Sequence, residues 1–154
     1  MVSAYVWATK KLVKKHLPTI ASDQILLEPA MLNTAPCILY SAFKIYNKNP
    51  DGIMIVAPSD HYIENEQEFI NNVKTSFEYC SKNDFLITLG IQPTNPNTGY
   101  GYIKFNKSDT PIKEVLNFTE KPNLKTAQKF INSGDYLWNA GIFIWSVKSI
   151  LKAF

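Results

Sequence analysis

Short runs of Ile, Val, Leu and Phe alternate along this chain with stretches in which apolar residues recur every three or four positions. That alternation of strand-like and helical periods predicts a layered α/β domain. Ala4-Tyr5-Val6-Trp7 reads as a strand, followed by a helix capped by Thr9 and ended near Leu17 by Pro18. Leu12, Val13 and Leu17 are expected to turn inward there. Lys10, Lys11, Lys14 and Lys15 form either an anion patch or, the preferred reading, a solvated face. Gln24 to Leu27 is a second strand, closed by Glu28-Pro29, and a helix runs from Thr34 to about Tyr46 with Pro36 in its first turn. Ile53 to Ala57 is unbroken apolar sequence, the pattern of a central strand buried on both faces. A helix follows over Glu66 to Ser81, with Phe69, Ile70, Val73 and Phe77 on one face. Phe85 to Ile91 is another interior-type strand, and Pro93 to Gly101 is a loop of turn formers. Gly101 to Phe105 and Glu114 to Phe118 read as strands, and Thr126 to Asn132 as a helix stopped at Gly134. A last strand covers Gly141 to Trp145, and a helix starts at Val147. No repeat or linker interrupts this order, so residues 1–154 read as one domain.

Composition narrows the function. With 45% hydrophobic and 19% charged residues, the 154-residue chain can build a core and is no disordered tail. Its net charge of +3 is too mild for a nucleic-acid partner. All 16 basic residues are Lys, so anion contacts fall to ammonium groups, backbone N–H or a metal rather than to a bidentate guanidinium. Cys37 and Cys80 form no CxxC pair and read as buried thiols of a reducing compartment. The N-terminus lacks the order of a signal peptide, and no run approaches the roughly 18 apolar residues of a membrane span. A cytoplasmic location, away from membranes, is the expectation.

Several positions carry candidate chemistry. Asp60 and His61 follow the apolar Ile53 run, and open α/β sheets bind ligands beyond the carboxyl ends of their strands. A carboxylate there either holds Mg²⁺ against substrate phosphates or caps the next turn. His61 is a weaker candidate base. In Asn97-Thr98-Gly99-Tyr100-Gly101-Tyr102, two glycines around an aromatic allow a ligand close to the backbone. Glu120-Lys121-Pro122 sets opposite charges side by side at a strand end, and alone it reads as a surface pair. Trp138-Asn139-Ala140-Gly141 precedes a strand, and its Asn can both donate to and accept from sugar hydroxyls. Glu28-Pro29 and Asn33-Thr34-Ala35 lie between a strand and a helix N-terminus, a place suited to anion or base contacts.

Taken in order, LLEPAMLNTAPCI, IVAPSDHYI, TLGIQPTNPNTGYGYI, FTEKP and YLWNAGIFIW make the chain, from about Tyr5 to Phe154, resemble the nucleotidyltransferase domain of mannose-1-phosphate guanylyltransferases. The resemblance implies a Rossmann-like layered fold with a mostly parallel mixed central sheet. It implies transfer of GMP from GTP to mannose-1-phosphate, giving GDP-mannose and pyrophosphate. Asp60 would hold the Mg²⁺ cofactor, and Lys121 would face the sugar phosphate. Gly101, Glu120, Asn139 and Gly141 would bind the sugar, and Glu28, Asn33 and Thr34 would lie near the nucleotide.

The same resemblance implies a Gly-rich triphosphate loop and a second metal-binding Asp, and neither motif occurs in these 154 residues. Met31-Leu32 stands where the family has Gly-Arg, removing a guanidinium from the nucleotide side. The expectation is a partial domain, truncated at both ends and weakly active or inactive alone. The alternatives are a non-catalytic sugar-phosphate-binding remnant and a subunit completed by a partner chain. Open sheet edges would also favour a homo-oligomer.

Overall fold

A computed structural model describes residues 3–5, 10–30 and 32–154, with the side chains of 10–30 and 32–154. Val6, Trp7, the Thr9 cap and Met31 lie outside the described residues. The elements, in order, are β1 (Ser3–Tyr5), α1 (Lys10–His16), β2 (Ile25–Leu27), α2 (Thr34–Lys48), β3 (Ile53–Val56), α3 (Glu66–Lys82) and β4 (Leu86–Ile91). They continue with β5 (Tyr102–Phe105), β6 (Val115–Thr119), α4 (Leu124–Ser133), β7 (Tyr136–Ser146) and α5 (Val147–Ala153).

Local chemistry sets the helix ends. Asn65 caps α3: its side-chain oxygen accepts from Glu68 N at 3.1 Å while its amide donates to Glu68 Oε2 at 3.0 Å. Asn123 caps α4 by accepting from Thr126 N at 2.9 Å, and the helix closes on Gly134 at φ +66°. Ser146 accepts from Ser149 N and so turns β7 directly into α5.

The five-stranded sheet is organised by β7. Its C-terminal half pairs with β3 along one edge (Val56 opposite Phe143) and with β4 along the other (Thr88 opposite Phe143). Its N-terminal half pairs with β5, which carries β6 at the sheet edge. Every one of these pairings is antiparallel. The α/β class holds, but the mostly parallel sheet implied by the resemblance is corrected to a mostly antiparallel one. β3 and β4 do run in the same direction, joined by α3, but β7 is inserted between them in the opposite sense. Among the described residues the one parallel ladder is β1 with β2, where Ser3 faces Ile25.

Helices cover both faces, but β3 and β4 each pair only with β7 among the described residues, so they are edge strands rather than the interior strands expected, and Ile55, Phe85, Leu86 and Ile91 stay exposed. On one face Trp145, Met54, Val147 and Ile150 pack with Ala42 of α2. On the other, Ile144 and Ile87 pack with Cys80, Val73 and Phe77 of α3. Successive strand residues point to opposite faces, so Ile144 and Trp145 anchor the two layers from adjacent positions.

Some inward assignments fail. Leu12, Leu17 and Ile70 are exposed, leaving Val13 as the buried residue of α1 and Ser76 and Cys80 as those of α3. Both cysteines are free, Cys80 buried and Cys37 half-buried. Among the described residues, no helix is long and apolar enough to cross a membrane.

Candidate functional site

Three turns meet at one end of the sheet. The register of β4 against β7 slips here: Thr88 faces Phe143, yet Gly90 faces Asn139. Between these pairs one residue of β4, Leu89, opposes three of β7, a bulge with Gly141 at φ +68°, where an L side chain is strained. Asn139-Ala140-Gly141 was expected to precede the strand. It lies within β7 instead, and the bulge re-aims these residues.

The Gly101 loop closes onto the bulge. Asn139 N donates to the Gly101 carbonyl at 2.8 Å. A methyl group on Gly101 would stand 2.8 Å from Glu120 Oε2 and 3.6 Å from Asn139 Cβ, so Gly101, Glu120 and Asn139 form one cradle. The loop is held from below by Tyr102, fully buried, whose hydroxyl donates to the Asn97 carbonyl at 2.8 Å. Gly99 N donates to Asn97 Oδ1 at 2.7 Å, and the Tyr100 ring leans against Trp138 at a centroid distance of 5.0 Å. Lys121 follows Glu120 with φ +40°, and the two charges stand 3.6 Å apart, both well exposed.

The turn that carries Asp60 approaches the bulge from the β3 side. Pro58, two residues earlier, lies 3.7 Å from where a Cβ on Gly141 would be. The Asp60 carboxylate is exposed in the turn after β3 and makes no hydrogen bond or ion pair among the described residues, and the same holds for His61. Among the described residues no group of three or more acidic, His or Cys side chains could hold a metal by itself. A lone open carboxylate still suits Mg²⁺, which typically takes one or two protein carboxylates and completes its shell with phosphate oxygens and water.

A second group gathers between β2 and α2. Glu28, Pro29, Ala30, Leu32, Pro36 and Tyr40 line a cleft of about 160 Å³. Glu28 is buried, and its Oε1 has no hydrogen-bond partner, an arrangement that costs free energy unless a ligand supplies a donor. Asn33 precedes α2 at φ +77° without using its side chain as a cap, and Thr34 begins the helix, exposed. No hydrogen bond or ion pair joins this group to the cradle among the described residues. Burial, together with the charge and hydrogen bonding of Glu28, pushes the Cys37 thiol up from its ordinary pKa. Glu28→Gln removes that charge, so more Cys37 is thiolate at pH 8. Iodoacetamide should then alkylate Cys37 several-fold faster, followed by mass spectrometry of the Cys37 peptide; an unchanged rate would contradict the contact.

A larger cleft, about 510 Å³, lies at the opposite ends of the strands, among Asp51, Cys80, Asp84, Lys148 and Lys152. Two of the three lysines that line it are already engaged, Lys148 by Asp51 at 2.6 Å and Lys152 by Asp84 at 2.8 Å. Size alone is a poor guide here, because none of the motif residues lines it.

Thr88 was not singled out in the sequence as a site residue, and Pro58, Asn97 and Tyr102 entered only as members of longer motifs. Only the bulge gives Thr88 a polar neighbour, and a Tyr or Pro beside a turn carries no signal of what it supports.

The strand ends on this side thus carry the exposed Asp60 carboxylate, the Glu120–Lys121 pair, the Asn139 carboxamide and the open backbone of Gly101 and Gly141. The Nucleotidyl transferase family model matches residues 5–153, and the chain belongs to that family. It is 40% identical over 145 residues to the mannose-1-phosphate guanylyltransferase of Escherichia coli, covering 90% of this chain and 31% of that protein. It is 42% identical over 133 residues to the xanthan biosynthesis protein XanB of Xanthomonas campestris pv. campestris, covering 86% of this chain and 28% of that protein. The chain thus spans less than a third of the length of these curated relatives. Among solved structures, the mannose-1-phosphate geranyltransferase of Thermus thermophilus superposes with a TM-score of 0.81 at 26% identity, over 97% of this chain and 43% of the other. The mannose-6-phosphate isomerase of Helicobacter pylori gives 0.79 at 30% identity, over 97% and 56%.

Proposed function

We propose that this chain forms part of an enzyme that transfers GMP from GTP to mannose-1-phosphate, yielding GDP-mannose and pyrophosphate. The observation that carries the reading is the cradle of Gly101, Glu120 and Asn139 beside the Asp60 turn, on a chain whose curated relatives are named for this reaction. In it Glu120 accepts from sugar hydroxyls, Asn139 donates to them, and Gly141 keeps the bulge open enough for the ring to approach. Lys121 faces the sugar phosphate. Asp60 would hold Mg²⁺, which when bound neutralises phosphate charge between the two substrates. The chain's own work is to align the sugar-1-phosphate oxygen with the α-phosphorus of GTP, since in-line phosphoryl-type transfer depends mainly on positioning and charge. Glu28, Asn33 and Thr34 take the nucleotide. The unpartnered, buried Glu28 oxygen suits the N–H edge of guanine, which offers adjacent donors. The location of such an enzyme is cytoplasmic, and residues 1–154 represent one partial domain.

By itself the 154-residue chain, with no Arg, turns over slowly. Calorimetry with mannose-1-phosphate and Mg²⁺ tests the binding half of the proposal, and pyrophosphate release on adding GTP tests the transfer half. Binding of mannose-1-phosphate in preference to glucose-1-phosphate is expected; equal or absent binding of both would overturn the sugar reading. A sharper test uses Gly101→Ala. The added methyl meets only the tip of the flexible, exposed Glu120 side chain, so the fold should tolerate it. Displacing that carboxylate should still weaken mannose-1-phosphate about tenfold, the scale of a lost charge-assisted hydrogen bond. An unchanged melting temperature with reduced affinity is the expected pair of results.

A further inference from the structure

Asn139 has one orientation dictated by its neighbours. Gly141 N–H can only donate, so the side-chain atom it meets at 3.0 Å is Oδ1. Thr88 Oγ1 lies 3.3 Å from the same oxygen and 3.1 Å from the Ile142 carbonyl, and its single proton is shared between these two acceptors, both on the bulge of β7. The carboxamide oxygen is therefore held on the protein side. Nδ2, with two hydrogens and no protein partner among the described residues, is left free to donate. Thr88 stands on β4 at the last paired position before the register slips, where its hydroxyl ties the bulge of β7 to β4.

We propose that Thr88 is a positioning residue for the sugar, acting through Asn139: its hydroxyl pins Oδ1 and so presents Nδ2 to a sugar hydroxyl. This inference rests on the sugar-binding reading of the cradle. Without the hydroxyl, the Gly141 N–H alone holds the amide, and part of the amide's freedom returns at the expense of ligand affinity.

Calorimetry on the whole chain with mannose-1-phosphate tests it. Thr88→Val should weaken binding about fivefold, the effect of one neutral hydrogen bond, while Thr88→Ser stays within about twofold of the original. In an Asn139→Ala background Thr88→Val should cost nothing further, because its effect passes through Asn139. A Thr88→Val penalty that persists there, or no penalty in the original background, would overturn the proposal. A ligand-free readout is the side-chain amide signal of Asn139 in ¹⁵N NMR. The original chain should give a rigid, narrow pair, and Thr88→Val a shifted or broadened one. A flexible amide in the original chain, or an identical signal in the variant, also refutes the assignment. If the original chain binds no mannose-1-phosphate, the sugar reading fails on its own, and the amide signal still decides whether Thr88 orients Asn139.

Discussion

Asp60→Asn is expected to cut pyrophosphate release from GTP and mannose-1-phosphate by about a hundredfold, the scale on which removing one electrostatic group lowers a transfer rate. The substitution preserves size and removes the charge. Asp60 is exposed in the turn after β3 and packs against nothing its amide would disturb, so folding should be unaffected. Because the chain's rate is expected to be low, the assay needs high chain concentration. A second measurement is independent of rate: Mn²⁺ titration followed by electron paramagnetic resonance, with mannose-1-phosphate present. The original chain should immobilise Mn²⁺ only with the sugar phosphate, and Asp60→Asn should not. Metal binding that survives the substitution would assign the metal to another group.

Gly90→Ala is expected to destabilise the fold by about 3 kcal/mol, at the upper end for overpacking a tight contact. A methyl there would lie 2.6 Å from Leu137 Cδ1 and 2.9 Å from Leu137 Cβ. Rotating the leucine side chain relieves the first clash but not the second, because Cβ moves only with the backbone of β7. The strain falls where Gly90 faces Asn139, so sugar affinity should drop together with stability. Chemical denaturation followed by Trp fluorescence measures it, since Trp138 and Trp145 both lie on β7. In a double-mutant cycle Leu137→Gly, which removes Cβ, should offset part of the Gly90→Ala loss, whereas Leu137→Ala, which keeps Cβ, should offset little; no coupling with Leu137→Gly would place the strain elsewhere.

Much of the fold was legible in the residues. The Ile53 and Leu86 runs did mark strands, and Gly134 did end α4, but among the described residues each run pairs with β7 alone and so lies at an edge. What apolar runs do not encode is the direction of the neighbour. A strand covered on both faces looks the same beside a parallel or an antiparallel partner, so the inserted β7 was invisible. The start of β7 was hidden for a related reason. Trp138-Asn139-Ala140-Gly141 has the composition of a turn, and the chain does kink there, but inside a strand that continues on both sides. Val115, Leu116 and Phe118 show the converse: an apolar strand that the structure leaves exposed at the sheet edge. The candidate site was legible where side chains offer charge or unusual backbone freedom, as at Asp60, Glu120 and Gly101. Thr88 was not, because a Thr in a strand needs no explanation until a carboxamide is found beside its hydroxyl.

The pairing of β7 with β3, β4 and β5 also sets a timetable for the ribosome. Those three strands emerge first, and each waits for a partner translated later. At a synthesis rate of about 5–20 residues per second, the roughly 90 residues separating Val56 from Ser146 correspond to about 5–18 s during which β3 has no β7 to pair with. Through that interval two of the most apolar stretches of the nascent chain are held by α2 and α3 alone. The growing chain is then a natural client for holding chaperones, and the most damaging place for a translational pause lies just before Tyr136.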